Sequence, residues 1–465
     1  MAVTQTSSQQ HVAVLAFPFG SHALTTFNLM LKLAAAAPSL QFSFFSTNKS
    51  NQSLISTSKT YLPDNVKLYD VEDGLPPKNY KLTGNPRHAV ELFMKAAPAN
   101  FWKGIDAAVA ATGLKISCLL TDGFLTFSGE ISEALQVPWF LSFVAMPYNV
   151  SAHIYTDVIR QVCINNKSRV SGIEDQTLDV IPGLSMMRIS DLSDEILSGD
   201  REESIFSSVL SKLGSVLPKA SVVVMNFYRE LYSAQLMDDL NCKLPGLLNL
   251  GFLTQPVPPP PLPPSDWDKT GCLEWLDRQK VKSVAYIAFG TVATPPQDEI
   301  IALAEALEEV NIPFIWSLRD DKKEQLPKKF LRRTSELGKI VPRAPQIQVL
   351  GHSSIGVFVT HFGANSVCES IANGVPMIGR PLFGDHRMNG RMVEEVWGIG
   401  MTVEGLEFTK NKVAKSLKVV FGDERGKKMR ENVEGLKEII MKAAGPDGSA
   451  TQDLNTLVRK LNNLK

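Results

Sequence analysis

Two places in the chain combine residue types and spacing that chemistry can use. Between Arg343 and His386 the chain reads R-A-P-Q-I-Q-V-L-G-H-S-S-I-G-V-F-V-T-H-F-G-A-N-S-V-C-E-S-I-A-N-G-V-P-M-I-G-R-P-L-F-G-D-H. Within it, His361, Asn365 and Ser366 follow a buried-strand pattern and open a helical one. Free backbone N–H groups and the dipole at such a helix start favour an anion, so a pyrophosphate can be held there without a metal. Ser366-Val367-Cys368-Glu369 also matches S-x-x-E, so Glu369 is either a helix cap or a carboxylate facing a ligand, and Gly374 is placed to end that helix. The second place pairs His22, after Gly20-Ser21 at the end of the first strand pattern, with Asp122, at the end of a later one. Imidazole titrates near working pH and suits a general base, and a carboxylate on its far nitrogen fixes the tautomer and stabilises the imidazolium. On these residues alone, a strand-end histidine satisfied by backbone stands as the competing reading.

The elements that must position these groups follow from apolar patterning. Short apolar runs alternate with helical patterns in both halves, which predicts α/β architecture with parallel sheets covered on both faces. The strand patterns are His11–Phe19, Phe42–Ser46 and Ile116–Thr121 in the first half, then Ser283–Phe289, Phe314–Ser317, Gly356–Thr360 and Pro376–Gly379 in the second. Asp298–Val310, Glu424–Ala443 and Ala450–Leu464 read as helices. Several strand patterns run into small or polar residues: Gly20-Ser21-His22, Thr121-Asp122, Gly290-Thr291, Thr360-His361 and Gly384-Asp385-His386. Ligands collect beyond the carboxyl ends of strands in open α/β sheets, so two such sheets facing each other would set these residues on opposite walls of one cleft. The proline-dense segment Gln255–Ser265 is the clearest break, because proline at that density holds a stiff extended connector. The expected division is residues 1–250, a linker at 251–265, a second domain at 266–445, and a terminal helix at 446–465 that packs back on the first domain.

Bulk properties exclude several classes. At 465 residues the chain exceeds one hydrophobic core. Lys+Arg and Asp+Glu are both 48, a balance that gives no sign of a nucleic-acid partner or a polybasic membrane contact. The five cysteines (Cys118, Cys163, Cys242, Cys272 and Cys368) are widely spaced with no C-x-x-C pair, which favours reduced thiols in a cytosolic enzyme. The polar start M-A-V-T-Q-T-S-S-Q-Q is not expected to be a signal peptide, and no apolar run reaches membrane-spanning length. The first strand pattern does not end in G-x-G-x-x-G and no G-x-x-x-x-G-K-[ST] occurs, which disfavours a dinucleotide oxidoreductase and a P-loop phosphotransferase.

The motifs F-P-F-G-S-H at Phe17–His22, T-D-G-F from Thr121, A-F-G-T at Ala288–Thr291 and the long box together resemble the plant family-one UDP-sugar glycosyltransferases. H-V-A-V-L-A-F-P-F-G at His11–Gly20, E-L-F-x-x-A-A-P at Glu91–Pro98, and G-A-N-S bring the likeness nearest to flavonoid and anthocyanidin 3-O-glycosyltransferases. The resemblance implies a GT-B fold of two Rossmann-like domains. It also implies inverting transfer of a hexose from a UDP-sugar to the 3-hydroxyl of a flavonol or anthocyanidin. No cofactor is expected to be permanently bound, and the co-substrate is UDP-galactose, UDP-glucose or UDP-rhamnose. A cytoplasmic monomer is expected, with small-molecule partners, no nucleic acid, no stable membrane insertion and no metal site.

The same resemblance assigns roles. His22 and Asp122 become the catalytic dyad. Thr291, His361, Gly363, Asn365 and Ser366 meet the diphosphate, Gln346 and Glu369 the ribose, and Arg343 and Ala344 complete the nucleotide site. Asp385 is expected on the sugar hydroxyls, and His386, where glucosyl-transferring relatives have Gln, leans the sugar towards galactose. Val144, aligned with a Thr that reaches a sugar 6-hydroxyl, keeps rhamnose open. Ser21, Phe19, Phe124, Phe383, Arg87 and His153 are the expected acceptor contacts. Three departures stand out: Arg343 replaces a Trp that stacks on uracil, Phe362 replaces a small residue and is expected to crowd the phosphate loop, and Ala364 replaces another Trp. The first two motivate a rival reading, a catalytically weak or silent flavonoid- or UDP-binding relative.

Overall fold

The computed structural model describes residues 9–58, 62–76, 86–167, 175–197, 205–290, 292 and 294–464. Two parallel sheets organise it. The first comprises His11–Leu15 (β1), Gln41–Thr47 (β2), Val66–Val71 (β3), Ile116–Asp122 (β4), Trp139–Phe143 (β5), Val222–Met225 (β6) and Leu247–Asn249 (β7). The second comprises Val284–Ala288 (β8), Phe314–Ser317 (β9), Gly338–Val341 (β10), Ile355–Thr360 (β11), Met377–Gly379 (β12) and Gly400–Thr402 (β13). The central strands β1, β8 and β11 are buried along their whole length. Continuous apolar runs of this kind suit a parallel sheet covered by helices on both faces.

The strand orders are β3-β2-β1-β4-β5-β6-β7 and β10-β9-β8-β11-β12-β13. Both carry the reversal of a Rossmann-like sheet, and the rule for such sheets is that ligands bind beyond the carboxyl ends where the order reverses. Those points lie between β1 and β4 in one sheet and between β8 and β11 in the other. Leu15 is in register with Thr121, and Ala288 with Thr360. The residues just beyond these pairs are therefore the ones that line the two reversal points. β1 is shorter than its apolar pattern. Ala16 N still bonds Phe45 O at 3.0 Å, but Pro18 has no N–H to continue the ladder, and the chain turns away towards His22.

The chain divides into two compact units, one of Met1–Ser171, Asp194–Thr254 and Gly445–Lys465, the other of Gly172–Ser193 and Gln255–Ala444. The second unit thus includes Gly172–Ser193, which precedes the proline-dense segment in sequence. In the second unit Arg391 pairs with Asp191 through two hydrogen bonds of 2.9 and 3.2 Å, and Arg387 donates to the Ser190 carbonyl at 3.1 Å. These contacts bind a segment of the first half in sequence to the second unit. In the first unit the core gathers Phe27, Met30, Leu33, Phe42 and Phe44, and the terminal helix Ser449–Asn462 adds Leu457 and Leu461 to it. Asp453 on that helix accepts from Asn249 N at 2.8 Å. In the second, Trp316, Phe314, Leu303, Leu307 and Val357 form the corresponding core.

Candidate active site

In the first unit, Gly20 at φ +59° makes the turn that ends the β1 connection, and His22 heads the helix His22–Ala36. His22 Nδ1 lies 2.9 Å from Asp122 Oδ2. Asp122 closes β4, is 1% exposed, and its other oxygen accepts from Phe124 N at 2.9 Å. A buried carboxylate is costly unless paired, so this arrangement serves the ion and the ring together. The bond to the carboxylate holds the ring proton on Nδ1 and leaves the Nε2 lone pair as the reactive position.

Aromatic rings surround the dyad. Phe124 stands 4.4 Å from the His22 ring, and Phe17 meets it edge-on at 5.2 Å. Phe19 lies 5.2 Å from Phe17 and 5.6 Å from Phe93. Phe17 and Phe93 thus belong to the same wall as Phe19 and Phe124. Both lie in motifs noted in the sequence, but an alternating F-P-F does not reveal which ring turns towards His22. Ser21 accepts through its carbonyl from Thr25 N at 3.0 Å, and Val144 is buried just beyond β5. His153, on the helix Pro147–Ile154, is also buried. Burial pushes its pKa down to about 4, partly offset by a hydrogen bond with the Leu210 backbone, so the ring is neutral. The Arg87 side chain and Thr291 lie outside the described residues.

In the second unit, Gly363 caps the helix Ala364–Asn373 and Gly374, at φ +69°, ends it. His361 lies just beyond β11, its ring in a slot between two glycines. A Cβ on Gly290 would stand 2.9 Å from its Nε2, and one on Gly363 would stand 2.5 Å away. Thr360 Oγ1 meets His361 Nδ1 at 3.2 Å. The ring packs edge to face with His386 at 4.7 Å. Burial, with the neighbouring His386 adding to it, holds the His361 pKa well below the usual histidine value. Asn365 and Ser366 fall in the first turn of the helix, where the positive end of the helix dipole lies.

Glu369 does not cap this helix. Ser366 is already its third residue, and the Glu369 carboxylate instead accepts from Gln346 Nε2 at 2.5 Å. Burial raises the Glu369 pKa to about 7, and the hydrogen bond from Gln346 works against that rise. Gln346 heads the helix Gln346–Leu350, preceded by a buried Ala344 whose N–H donates to Ser317 Oγ at 3.2 Å. Arg343 is exposed.

Asp385 and His386 meet at the start of the helix His386–Arg391. Asn389 donates to Asp385 Oδ2 at 3.0 Å and to the Phe362 carbonyl at 2.9 Å. Leu382 N and Phe383 N both donate to His386 Nδ1 at 3.3 Å, so the ring proton sits on Nε2. Burial lowers the His386 pKa to about 4, and this ring too is neutral. Phe383 lies in the second unit, 45% exposed, its ring 4.6 Å from His386.

The expected crowding by Phe362 does not occur. Its ring is 0% exposed and points inward, where a Cβ on Gly379 would stand 1.7 Å from it and one on Gly390 2.9 Å. Phe362 sits at φ +61°, a conformation uncommon for a non-glycine residue. The glycine slot and the Asn389 hydrogen bond hold it there.

Among the described residues no group of three or more His, Cys, Asp or Glu is arranged to hold a metal ion, and no helix is long and apolar enough to cross a membrane.

Residues 115–441 match the UDP-glucoronosyl and UDP-glucosyl transferase family. The chain is 45% identical to the anthocyanidin 3-O-glucosyltransferase UFGT of Vitis vinifera, over 98% of each chain. It is 46% identical to the anthocyanidin 3-O-galactosyltransferase F3GT1 of Actinidia chinensis var. chinensis, again over 98% of each. A solved UDP-glucose:anthocyanidin 3-O-glucosyltransferase in complex with UDP superposes with a TM-score of 0.91 at 42% identity, covering 98% of this chain and 100% of that one. The two sheets are accordingly the Rossmann-like domains of the GT-B class. Sheet order, the residues at both reversal points and whole-length similarity agree: the chain belongs to the UDP-glucoronosyl and UDP-glucosyl transferase family and is a UDP-glycosyltransferase.

Proposed function

We propose that this enzyme transfers a hexose, with galactose the preferred sugar, from its UDP-sugar to the 3-hydroxyl of a flavonol or anthocyanidin, with inversion at the anomeric carbon. The observation that carries the chemistry is the 2.9 Å bond between His22 and Asp122. Nε2 of His22 takes the proton of the acceptor hydroxyl. The acceptor oxygen bonds to sugar C1 as the C1–O bond to UDP breaks on the opposite face, and the electron pair departs on the diphosphate. Asp122 stabilises the imidazolium so formed. Phe17, Phe19, Phe124 and Phe93 supply a wall suited to planar rings.

In the second unit, neutral His361 and the first-turn N–H groups stabilise charge developing on the diphosphate. Thr291 is assigned there with them. Gln346 and Glu369 take the ribose hydroxyls, and Asp385 with His386 takes the sugar. The acceptor class is supported by similarity to anthocyanidin and flavonol 3-O-glycosyltransferases. The sugar preference is supported by His386. Its Nδ1 is occupied by two backbone N–H groups, so it offers one fixed donor, whereas a glutamine amide both donates and accepts.

The test is a product panel: quercetin and cyanidin against UDP-galactose, UDP-glucose and UDP-rhamnose, with products identified by mass and by the anomeric coupling in NMR. The expected major product is the β-linked 3-O-galactoside, with kcat/KM for UDP-galactose about tenfold above that for UDP-glucose, the scale of one well-placed polar contact. Glucoside as the major product would overturn the sugar assignment, and attachment at another hydroxyl would overturn the regiochemistry.

A further inference from the structure

Tyr286 lies inside β8, 1% exposed, with its ring stacked on Phe358 of the neighbouring β11 at 5.0 Å and an interplanar angle of 17°. The sequence pattern reads it as core, yet its hydroxyl reaches Gln346 Oε1 at 3.0 Å. Gln346 Nε2 in turn donates to Glu369 Oε2 at 2.5 Å and approaches Ser366 Oγ at 3.4 Å. A glutamine amide turned over by 180° fills the same volume with donor and acceptor exchanged. Turned over here, it would set Oε1 against the Glu369 carboxylate, acceptor facing acceptor. That orientation becomes acceptable once Glu369 is protonated, because the acid can then donate to Oε1. The Tyr286 hydroxyl would then lose the acceptor it holds, and a buried donor without a partner is costly.

We propose that Tyr286 is a positioning residue for the donor nucleotide: it donates to Gln346 Oε1 and locks the amide with its NH2 group towards Glu369, which keeps the Glu369 carboxylate arranged to accept ribose hydroxyls. The proposal rests on the assignment of Gln346 and Glu369 to the ribose. The lock matters most near neutral pH, where Glu369, raised to about 7 by burial, exchanges between its two forms. Burial holds Tyr286, Cys368 and His386, the buried titratable groups beside Glu369, away from that range. Burial and the Glu369 charge push the Tyr286 hydroxyl and the Cys368 thiol well above their usual values. His386, on the helix packed alongside, is held at about 4. From the helix Glu424–Ala443, Glu434 and Lys437 pair with each other at 3.2 Å and face Gly374 at the far end of the Glu369 helix.

The test compares wild type with Y286F by calorimetric titration of UDP and 2′,3′-dideoxy-UDP at pH 6 and pH 8.5. Y286F should bind UDP about fivefold more weakly at pH 6, about the scale of one lost hydrogen bond. At pH 8.5 ionised Glu369 orients the amide by itself, and the deficit should fall below about twofold. Dideoxy-UDP should be bound equally by both proteins, and kcat at saturating donor should stay within about twofold, since the hydroxyl touches no reacting atom. A deficit of equal size at both pH values, or shared by dideoxy-UDP, would mark Tyr286 as packing alone and overturn the proposal, as would no deficit at all. Q346A separates the two layers. It should erase the preference for UDP over dideoxy-UDP. If it leaves that preference intact, the ribose assignment itself fails, whereas an effect in Q346A without one in Y286F removes only Tyr286. Should Y286F fold poorly, Q346M carries the pH comparison, because methionine has no polarity to lock and should show the weaker binding at both pH values; wild-type affinity in Q346M would overturn the proposal.

Discussion

The first unit sets its histidine beside a carboxylate, whereas the second sets two histidines beside each other. His22 has Asp122 at 2.9 Å, and that carboxylate is almost entirely shielded from solvent. His361 and His386 stand edge to face at 4.7 Å, and burial holds both below the ordinary histidine value. One imidazole thus has a carboxylate at its Nδ1, while the other two would repel one another as cations and are neutral hydrogen-bonding groups. The same side chain suits proton removal in one domain and binding of an anion and hydroxyls in the other, and its neighbours make the difference. Buried carboxylates repeat the contrast, since Asp122 is given an imidazole and Glu369 only a neutral amide.

The sharpest way to break this comparison is at His22. H22A should lower turnover by about 10³-fold, within the usual contribution of a general base, while UDP affinity stays within about twofold. D122N should cost somewhat less, about 10²-fold, by leaving the ring free to take the wrong tautomer. Stopped-assay kinetics with quercetin, together with UDP titration, read both quantities. Retention of most of the turnover in H22A would remove the base assignment. The mirror experiment is H361A, which should lower kcat/KM for the donor by about 10²-fold, the scale for removing one donor to a developing oxyanion. Unlike H22A, it should also weaken UDP binding. If the two variants gave the same pattern, the division of labour between the histidines would be wrong.

A milder test asks how complete the second site is. Arg343 is exposed, and a guanidinium plane covers less of a base than an indole does. R343W should raise UDP-sugar affinity by about tenfold, the low end of what a base–aromatic stack contributes. Unchanged affinity would mean that the base is already held by other groups.

Much of both regions is readable in the sequence, for physical reasons that also explain the gaps. Strands buried along most of their length are largely apolar runs, so Ile116–Thr121 and Phe314–Ser317 announce themselves. The polar residues after them stand out because nothing in a strand requires them. His22 and Asp122 are a hundred residues apart, and the order of the strands, which no local pattern records, brings β1 beside β4. The size of Phe362 is visible in the sequence and suggests obstruction, whereas the room made for it by Gly379 and Gly390 depends on two distant backbones. Tyr286 is hidden for the opposite reason: within Val284–Ala288 it has every mark of a core residue, and only its hydroxyl departs from that role. The grouping of Asp191 with the second unit rests on an arginine two hundred positions away.

The remaining expected effect is on stability; it concerns Glu369 and tests the carboxylate half of the comparison. Its folded pKa of about 7 lies above the ordinary glutamate value of 4.5, and burial is the main cause. A raised acid pKa favours the folded state below the unfolded value. That contribution is lost as pH climbs from about 4.5 to about 7, and above this the ionised carboxylate is a standing cost. E369Q carries no charge and escapes the loss. Its melting temperature relative to wild type should therefore rise across that window and level off above it. The gain should be up to about 3 kcal/mol, or several degrees for a domain of this size. UDP should work in the opposite direction. Ribose hydroxyls donating to the carboxylate lower its pKa, so UDP should stabilise wild type more at pH 8 than at pH 5.5, and E369Q should lose that pH dependence along with much of the affinity. Asp122 already has its partner in the protein, so D122N should keep the wild-type pH dependence of stabilisation by UDP. A wild-type UDP effect that is flat in pH would mean that the nucleotide does not meet Glu369, and that its burial serves packing alone.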